Sequence, residues 1–167
     1  MWTFVVMGVS GVGKTTVASA LALDLAWEFV EADDFHTPQN LAKMRGGHAL
    51  SDADRAPWLA AVGQRLADLR HSNRRAVVAC SALRRSYRDA LRLFTADACF
   101  AHLDASASTV AARLALRRGG NISPALLATQ FETLEPLEPD ECGLVVNGDR
   151  NVEAVVARLG AWIRWPR

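Results

Sequence analysis

No run of apolar residues is long enough to span a bilayer, since a transmembrane helix needs about 20 of them. No basic-then-apolar leader opens the chain. Strand-like residues and a glycine-rich loop begin almost at Met1, so no secretory signal is expected. An excess of one charge is also lacking. Lys and Arg number 19 against 18 Asp and Glu, a net charge of +1, which supplies no electrostatic drive toward nucleic acid or an anionic membrane. Cysteine is scarce, with only Cys80, Cys99 and Cys142. An odd count without paired spacing predicts neither a disulfide framework nor a zinc site, and Cys80 and Cys99, lying in apolar runs, are expected as buried thiols. Internal repeats and low-complexity linkers are missing too. These absences predict a soluble, cytoplasmic protein. What is present is a chain of 167 residues, half of them apolar, enough for one ordinary domain with a real core.

Short apolar runs alternate with helical patterns. Residues 3–7, 29–31, 76–80, 99–103 and 144–146 read as five strands, the first ending in glycine like a buried parallel strand. Residues 14–27, 37–46, 56–69, 84–94, 106–118, 124–133 and 152–165 read as helices, with Pro57 in a first turn, Ser106 as an N-cap and Gly46-Gly47 as a stop. Such alternation predicts an α/β fold: a parallel five-stranded sheet with helices on both faces, joined by right-handed crossovers. Ligands of these sheets bind beyond the carboxyl ends of the strands.

Residues 8–15 read G-V-S-G-V-G-K-T, a full match to the phosphate-binding loop G-x-x-x-x-G-K-[ST] between a strand and a helix. The nucleotide-site candidates are Gly8, Ser10, Gly11, Val12, Gly13, Lys14, Thr15 and Thr16. Glycines let backbone N–H groups turn toward phosphate oxygens, and the next helix aims its positive end at the same anion. Lys14 is expected on the β- and γ-phosphates of ATP, and the Thr15 hydroxyl on Mg2+. The loop alone names no acceptor.

Four further segments carry more information. Glu31-Ala32-Asp33-Asp34-Phe35-His36 is followed by Asn40 and Lys43-Met44. Residues 50–59 read L-S-D-A-D-R-A-P-W-L, residues 80–89 read C-S-A-L-R-R-S-Y-R-D, and residues 129–134 read T-Q-F-E-T-L. With the phosphate loop, in this order and over residues 4 to about 146, they resemble the bacterial-type gluconokinase family. Departures are Thr37 before Pro38, Ala49, Glu31, and Gly120-Asn121-Ile122 in the stretch after the fifth helix. The resemblance implies a nucleoside-monophosphate-kinase-like P-loop fold, with a helical substrate-binding insertion at 37–69 and a lid at 113–128. It also implies ATP-dependent phosphorylation of D-gluconate to 6-phospho-D-gluconate, and a homodimer. Shikimate kinase is the rival within the same fold, and a non-catalytic nucleotide switch is the rival from another class.

A sugar acid needs a cation for its carboxylate, polar groups for its hydroxyls, and a carboxylate near the reacting hydroxyl. Asp33, just past the second strand, is the candidate base, and the resemblance to shikimate kinases pairs it with Glu31; a turn in which Asp33 and Asp34 bond their own backbone is the structural alternative. His36 either joins the acceptor site or packs. Arg84 and Arg88, four apart on one helix, are candidates to grip the acceptor carboxylate, against a solvated basic face. Arg55 and Trp58 are acceptor candidates, Trp58 with core packing as its alternative. Lys43 and Ser81 join them from the matching segments, and Gln130 and Glu132 either touch substrate or support the lid. Arg113 and Arg117, four apart before Gly119-Gly120, are the lid arginines the resemblance implies; Arg117 is the candidate to stabilise charge during transfer, with the helix macrodipole as the alternative reason for cations there.

Overall fold

The computed structural model describes residues 1–116 and 123–165. Strand β1 (Thr3–Met7) leads through the glycine loop into α1 (Lys14–Leu25). Then come β2 (Glu28–Glu31), a 3-10 turn (Ala32–Phe35), α2 (Pro38–Arg45), α3 (Asp52–His71), β3 (Ala76–Ala79) and α4 (Arg85–Arg92). The chain continues with β4 (Cys99–Asp104), α5 (Ala107–Leu116), α6 (Pro124–Thr133), β5 (Gly143–Asn147) and α7 (Val152–Arg164). All neighbouring strands pair in parallel, in the order β2-β3-β1-β4-β5.

The strand carrying the phosphate loop is therefore central. Its residues alternate between two cores, as a pleat of period two requires. Phe4 and Val6 face the layer built from Leu21, Val110 and Leu159, whereas Val5 and Met7 face Trp58, Leu66 and Leu91. Both sides of β1, β3 and most of β4 are thus buried, which is why these strands are mostly apolar.

Several boundaries differ from the sequence expectation for local physical reasons. Helix α1 stops at Leu25, because Ala26 turns left-handed (φ 52°) and its N–H closes back on Ala22 and Leu23. Helix α3 begins at Asp52 rather than at 56. The Ser51 hydroxyl accepts the Asp54 N–H and the Asp54 carboxylate accepts the Ser51 N–H, a reciprocal capping box. Pro57 consequently sits inside the helix rather than in its first turn.

The cysteine expectation is corrected. Cys99 and Cys142 form a disulfide, with Cα atoms 4.7 Å apart. Phe100 pairs with Gly143 across β4 and β5, so the residues immediately before them lie side by side. An odd count says nothing about such a long-range juxtaposition. Cys80 is the free, buried cysteine, its thiol pushed up to about 12 by burial.

Candidate active site

The loop after β1 wraps a cleft of about 950 Å³ lined by Lys14, Thr15, Glu31, Asp33, Asp34 and Arg113 among others. The loop's conformation demands its glycines. Gly13 has φ 110° where it caps α1. Gly11 has φ 83°, and a Cβ there would stand 2.6 Å from Leu114 Cγ. Lys14 Nζ donates to the Val9 carbonyl at 3.0 Å, so the ammonium lies folded over its own loop.

Two residues, one at the start of the expected lid and one just past its end, hold the loop from outside. Arg113, on α5, donates from Nη1 to the Val12 carbonyl at 2.8 Å. Gln130, on α6, accepts the Ser10 N–H at 2.7 Å. Of the two roles expected for Gln130, acceptor contact or support of the lid, neither is engaged directly here: its amide oxygen is held by the phosphate loop. Arg117, with Gly119-Gly120 and Asn121, lies outside the described residues.

The carboxyl end of β2 supplies the acids. Glu31 Oε2 accepts the Thr15 hydroxyl at 2.7 Å, and burial raises its pKa against that hydrogen bond. Asp33 is exposed in the 3-10 turn, and its N–H reaches Glu31 Oε1 at 3.5 Å. The alternative of a turn closed by the Asp33 and Asp34 side chains is not what forms; Glu31 is the residue that caps this turn. An alcohol oxygen beside a carboxylate is a donor set suited to a hard cation such as Mg2+, which commonly takes one or two protein oxygens plus phosphate.

His36 extends this line of groups. Its Nε2 lies 3.8 Å from Asp33 Oδ1, with the side chain 4% exposed. Its Nδ1 is buried and has no hydrogen-bond partner. Burial lowers its pKa, with Asp33 opposing and Arg55 assisting, so the ring is neutral near pH 7. Trp58 stacks on it at 4.3 Å and 15° and donates its indole N–H to the Ala32 carbonyl at 2.7 Å. Trp58 is 2% exposed: it is a core residue whose face holds the His36 ring.

Beyond His36 lies a cation cluster. Arg55 donates to the Leu50 carbonyl and to the Tyr87 hydroxyl, the latter at 3.2 Å, and its guanidinium lies over the Tyr87 ring. Arg84 grips both oxygens of Asp52, at 2.9 and 3.2 Å. Lys43 is committed to Asp54 at 2.6 Å, tying α2 to the start of α3. Ser81 accepts the Gly8 N–H with its carbonyl at 3.2 Å, so it braces the start of the phosphate loop.

Arg88 is removed from the acceptor candidates. Its side chain is fully buried against an equally buried Glu141, at 2.7 Å. The remaining N–H groups donate to the carbonyls of Ala82, Leu83, Glu135 and Pro136. No donor is left for a ligand. Four-residue spacing placed Arg84 and Arg88 together, but Arg84 sits just before α4 in an extended conformation (ψ 152°) and points elsewhere.

The sequence reading missed two groups of residues. Tyr87 and Asp52 complete the arginine cluster, and both lie inside segments already singled out. Arg150, Asn151, Val152 and Glu153 line the nucleotide cleft. Their signal was available, since they follow β5 at the same carboxyl edge and Asn151 N-caps α7.

This geometry can now be set beside known proteins. A family model described as an AAA domain matches residues 4–137. The gluconokinase of Gluconobacter oxydans (strain 621H) is 45% identical over 93% of this chain and 87% of its own length. A sugar kinase from Janibacter sp. HTCC2649, solved without ligand, superposes with a TM-score of 0.92 at 41% identity, covering 96% of this chain and 93% of that one. A gluconokinase from Sinorhizobium meliloti 1021 superposes with a TM-score of 0.82 at 41% identity, covering 96% and 94%. With identity of this order over nearly the whole length of both chains, the chain belongs to the gluconokinase family.

Proposed function

We propose that this chain transfers the γ-phosphoryl group of ATP to the terminal hydroxyl of D-gluconate, giving 6-phospho-D-gluconate. The observation that carries this is one continuous line of groups. It runs from Lys14 and Thr15, through Glu31 and Asp33, past His36, to Arg55 and Arg84. Phosphate chemistry stands at one end and carboxylate-binding chemistry at the other.

Lys14 moves from the Val9 carbonyl to the β- and γ-phosphates, where it offsets charge that develops during transfer. Asp33 takes the hydroxyl proton or orients the hydroxyl for in-line attack. His36 keeps Asp33 in place from a neutral, stacked ring. Arg84 and Arg55 hold the acceptor carboxylate. Thr15 and Glu31 are the residues that would hold Mg2+, which would supply charge neutralisation on the phosphates. Arg113 and Arg117 close on the nucleotide from the segment at 113–128, and residues 37–69 form the acceptor-side insertion. The homodimer and the cytoplasmic location belong to the same proposal, on the family resemblance.

A coupled ADP-release assay across D-gluconate, other aldonates, shikimate and nucleoside monophosphates tests the reading. Gluconate-dependent turnover is expected to dominate, and Lys14→Ala is expected to lose more than tenfold of it, over about 1.4 kcal/mol of transition-state stabilisation, with an unchanged circular dichroism spectrum. Turnover on shikimate in preference to gluconate would overturn the acceptor, and ATP binding without turnover on any acceptor would make the chain a switch.

A further inference from the structure

The cation cluster at the acceptor end is already occupied by a carboxylate, and it is the protein's own. Asp52 accepts two hydrogen bonds from Arg84, at 2.9 and 3.2 Å. It also accepts the Tyr87 hydroxyl proton and lies 3.9 Å from the Arg55 guanidinium. Both arginines lie over the Tyr87 ring as well. Two guanidinium groups and a phenol converge on one carboxylate, a recognition pattern suited to a carboxylate ligand.

Asp52 nonetheless belongs to no buried network. Its side chain is 64% exposed, and it is in the first turn of α3. The contrast with Glu141 is direct: that carboxylate also meets two arginines, but with no exposure at all. A buried pair is costly to open, whereas an exposed pair holds its partners only weakly. If Asp52 swings away it remains at a helix N-terminus, where a negative charge is still favoured.

We propose that Asp52 is a tethered stand-in for the acceptor's carboxylate: it fills the Arg84–Arg55–Tyr87 site in the free enzyme and is displaced when the sugar acid binds. This rests on the acceptor being an aldonate, as proposed above. It adds Tyr87 to the acceptor-binding residues and makes Asp52 a residue that sets acceptor affinity by competition. The competitor is intramolecular, so it lowers apparent affinity by the fraction of molecules in which the site is open. A neutral polyol with the same hydroxyl chain lacks the group that replaces Asp52, and so leaves the cluster either blocked or unpaired.

The test is a mutant cycle read in KM. Asp52→Asn removes the competing charge at nearly constant shape, and is expected to lower the KM for gluconate by about two- to tenfold, leaving the KM for ATP in place. Arg84→Ala is expected to raise the KM for gluconate about tenfold or more. In the Arg84→Ala background the Asp52→Asn effect should shrink toward none, because the contested cation is gone. A higher or unchanged gluconate KM in Asp52→Asn overturns the proposal, as does an undiminished effect in the double variant. A second measurement uses the unmodified enzyme. The Tyr87 hydrogen bond, helped by Arg84 and Arg55, holds the Asp52 pKa below the ordinary carboxylate value. Displacement by gluconate should return it upward, visible in the side-chain carboxyl carbon resonance, and a resonance that gluconate leaves unmoved also overturns the proposal. Wild-type turnover separates the two readings. Absent gluconate-dependent ADP release fails the assigned function, whereas normal turnover with a static Asp52 fails only the displacement.

Discussion

Arg88 and Glu141 show how little spacing says about burial. In the sequence, Arg84 and Arg88 look like equivalent cations four apart. In the fold, Arg84 keeps a half-exposed guanidinium at the site, while Arg88 is buried on a carboxylate 53 residues away. No local pattern could reveal that partner. The phosphate loop was legible for the opposite reason: all its groups lie within eight consecutive residues, so the chemistry is written locally. The buried pair also makes a stability prediction. Burial raises the Glu141 pKa, but the hydrogen bonds from Arg88, Glu138 and Arg92 outweigh it and bring the pKa from 4.5 down to about 2. A depressed carboxylate pKa means that this stabilisation is complete above about pH 4.5 and lost as pH falls toward about 2. Arg88→Ala leaves Glu141 buried without its main partner, and is expected to cost about 3–5 kcal/mol in urea unfolding at pH 7. Thermal unfolding of Glu141→Gln should also show a flatter acid limb between about pH 4.5 and 2 than the parent. Parent-like stability of Arg88→Ala would return Arg88 to the list of ligand-facing cations.

Five strands and seven helices were recognisable from alternation and caps, because each element's buried face is recorded in its own residues. What went unread were the long-range or reciprocal features. Ser51 and Asp54 cap α3 together, four residues before the apolar pattern starts. The Cys99–Cys142 bridge joins residues 43 apart, brought together only by the β4–β5 pairing. That bridge clamps an edge strand, and β5 is bordered on one side only. Closing a loop of this size contributes about 2–4 kcal/mol by restricting the unfolded chain. Guanidinium unfolding is therefore expected to show a lower midpoint with reductant present than without it, and Cys142→Ser should abolish the dependence. A midpoint that ignores reductant would mean that the thiols are not bridged in solution. The proposed cytoplasmic setting keeps thiols reduced, so the reduced form's stability is the one that bears on function there.

At the scale of the molecule, alternating strands and helices fixed a parallel sheet and its ligand-binding edge, but not the order β2-β3-β1-β4-β5, because pairing partners are non-local. That order puts β1 between β3 and β4. The phosphate loop is consequently central at the carboxyl edge. The acids after β2 and the residues before α4 lie to one side, and the segments after β4 and β5 to the other. In the proposed function, acceptor groups and nucleotide groups thus hang from separate connections at one edge of the sheet. On the acceptor side, Lys43–Asp54 and Asn40 Nδ2 to the Asp54 carbonyl join α2 to α3, so residues 37–69 would move as a unit. Gly47, with φ 77° and nothing within 4 Å of a hypothetical Cβ, is free to change its backbone angles inside that unit. On the nucleotide side, Arg113 of α5 and Gln130 of α6 already touch the loop. The proposed closure would bring both connections onto bound ligands. Crystals grown with and without an ATP analogue plus gluconate are expected to superpose on the sheet and differ by more than about 2 Å at α2, at the start of α3 and across 113–128, a displacement beyond ordinary rigid-body fit. ATP analogue alone should move 113–128 and leave α2 near its free position, because the two segments answer to different ligands. Identical positions of both segments with and without ligands would refute closure, and the enzyme would then have to exclude water by side-chain rearrangement alone.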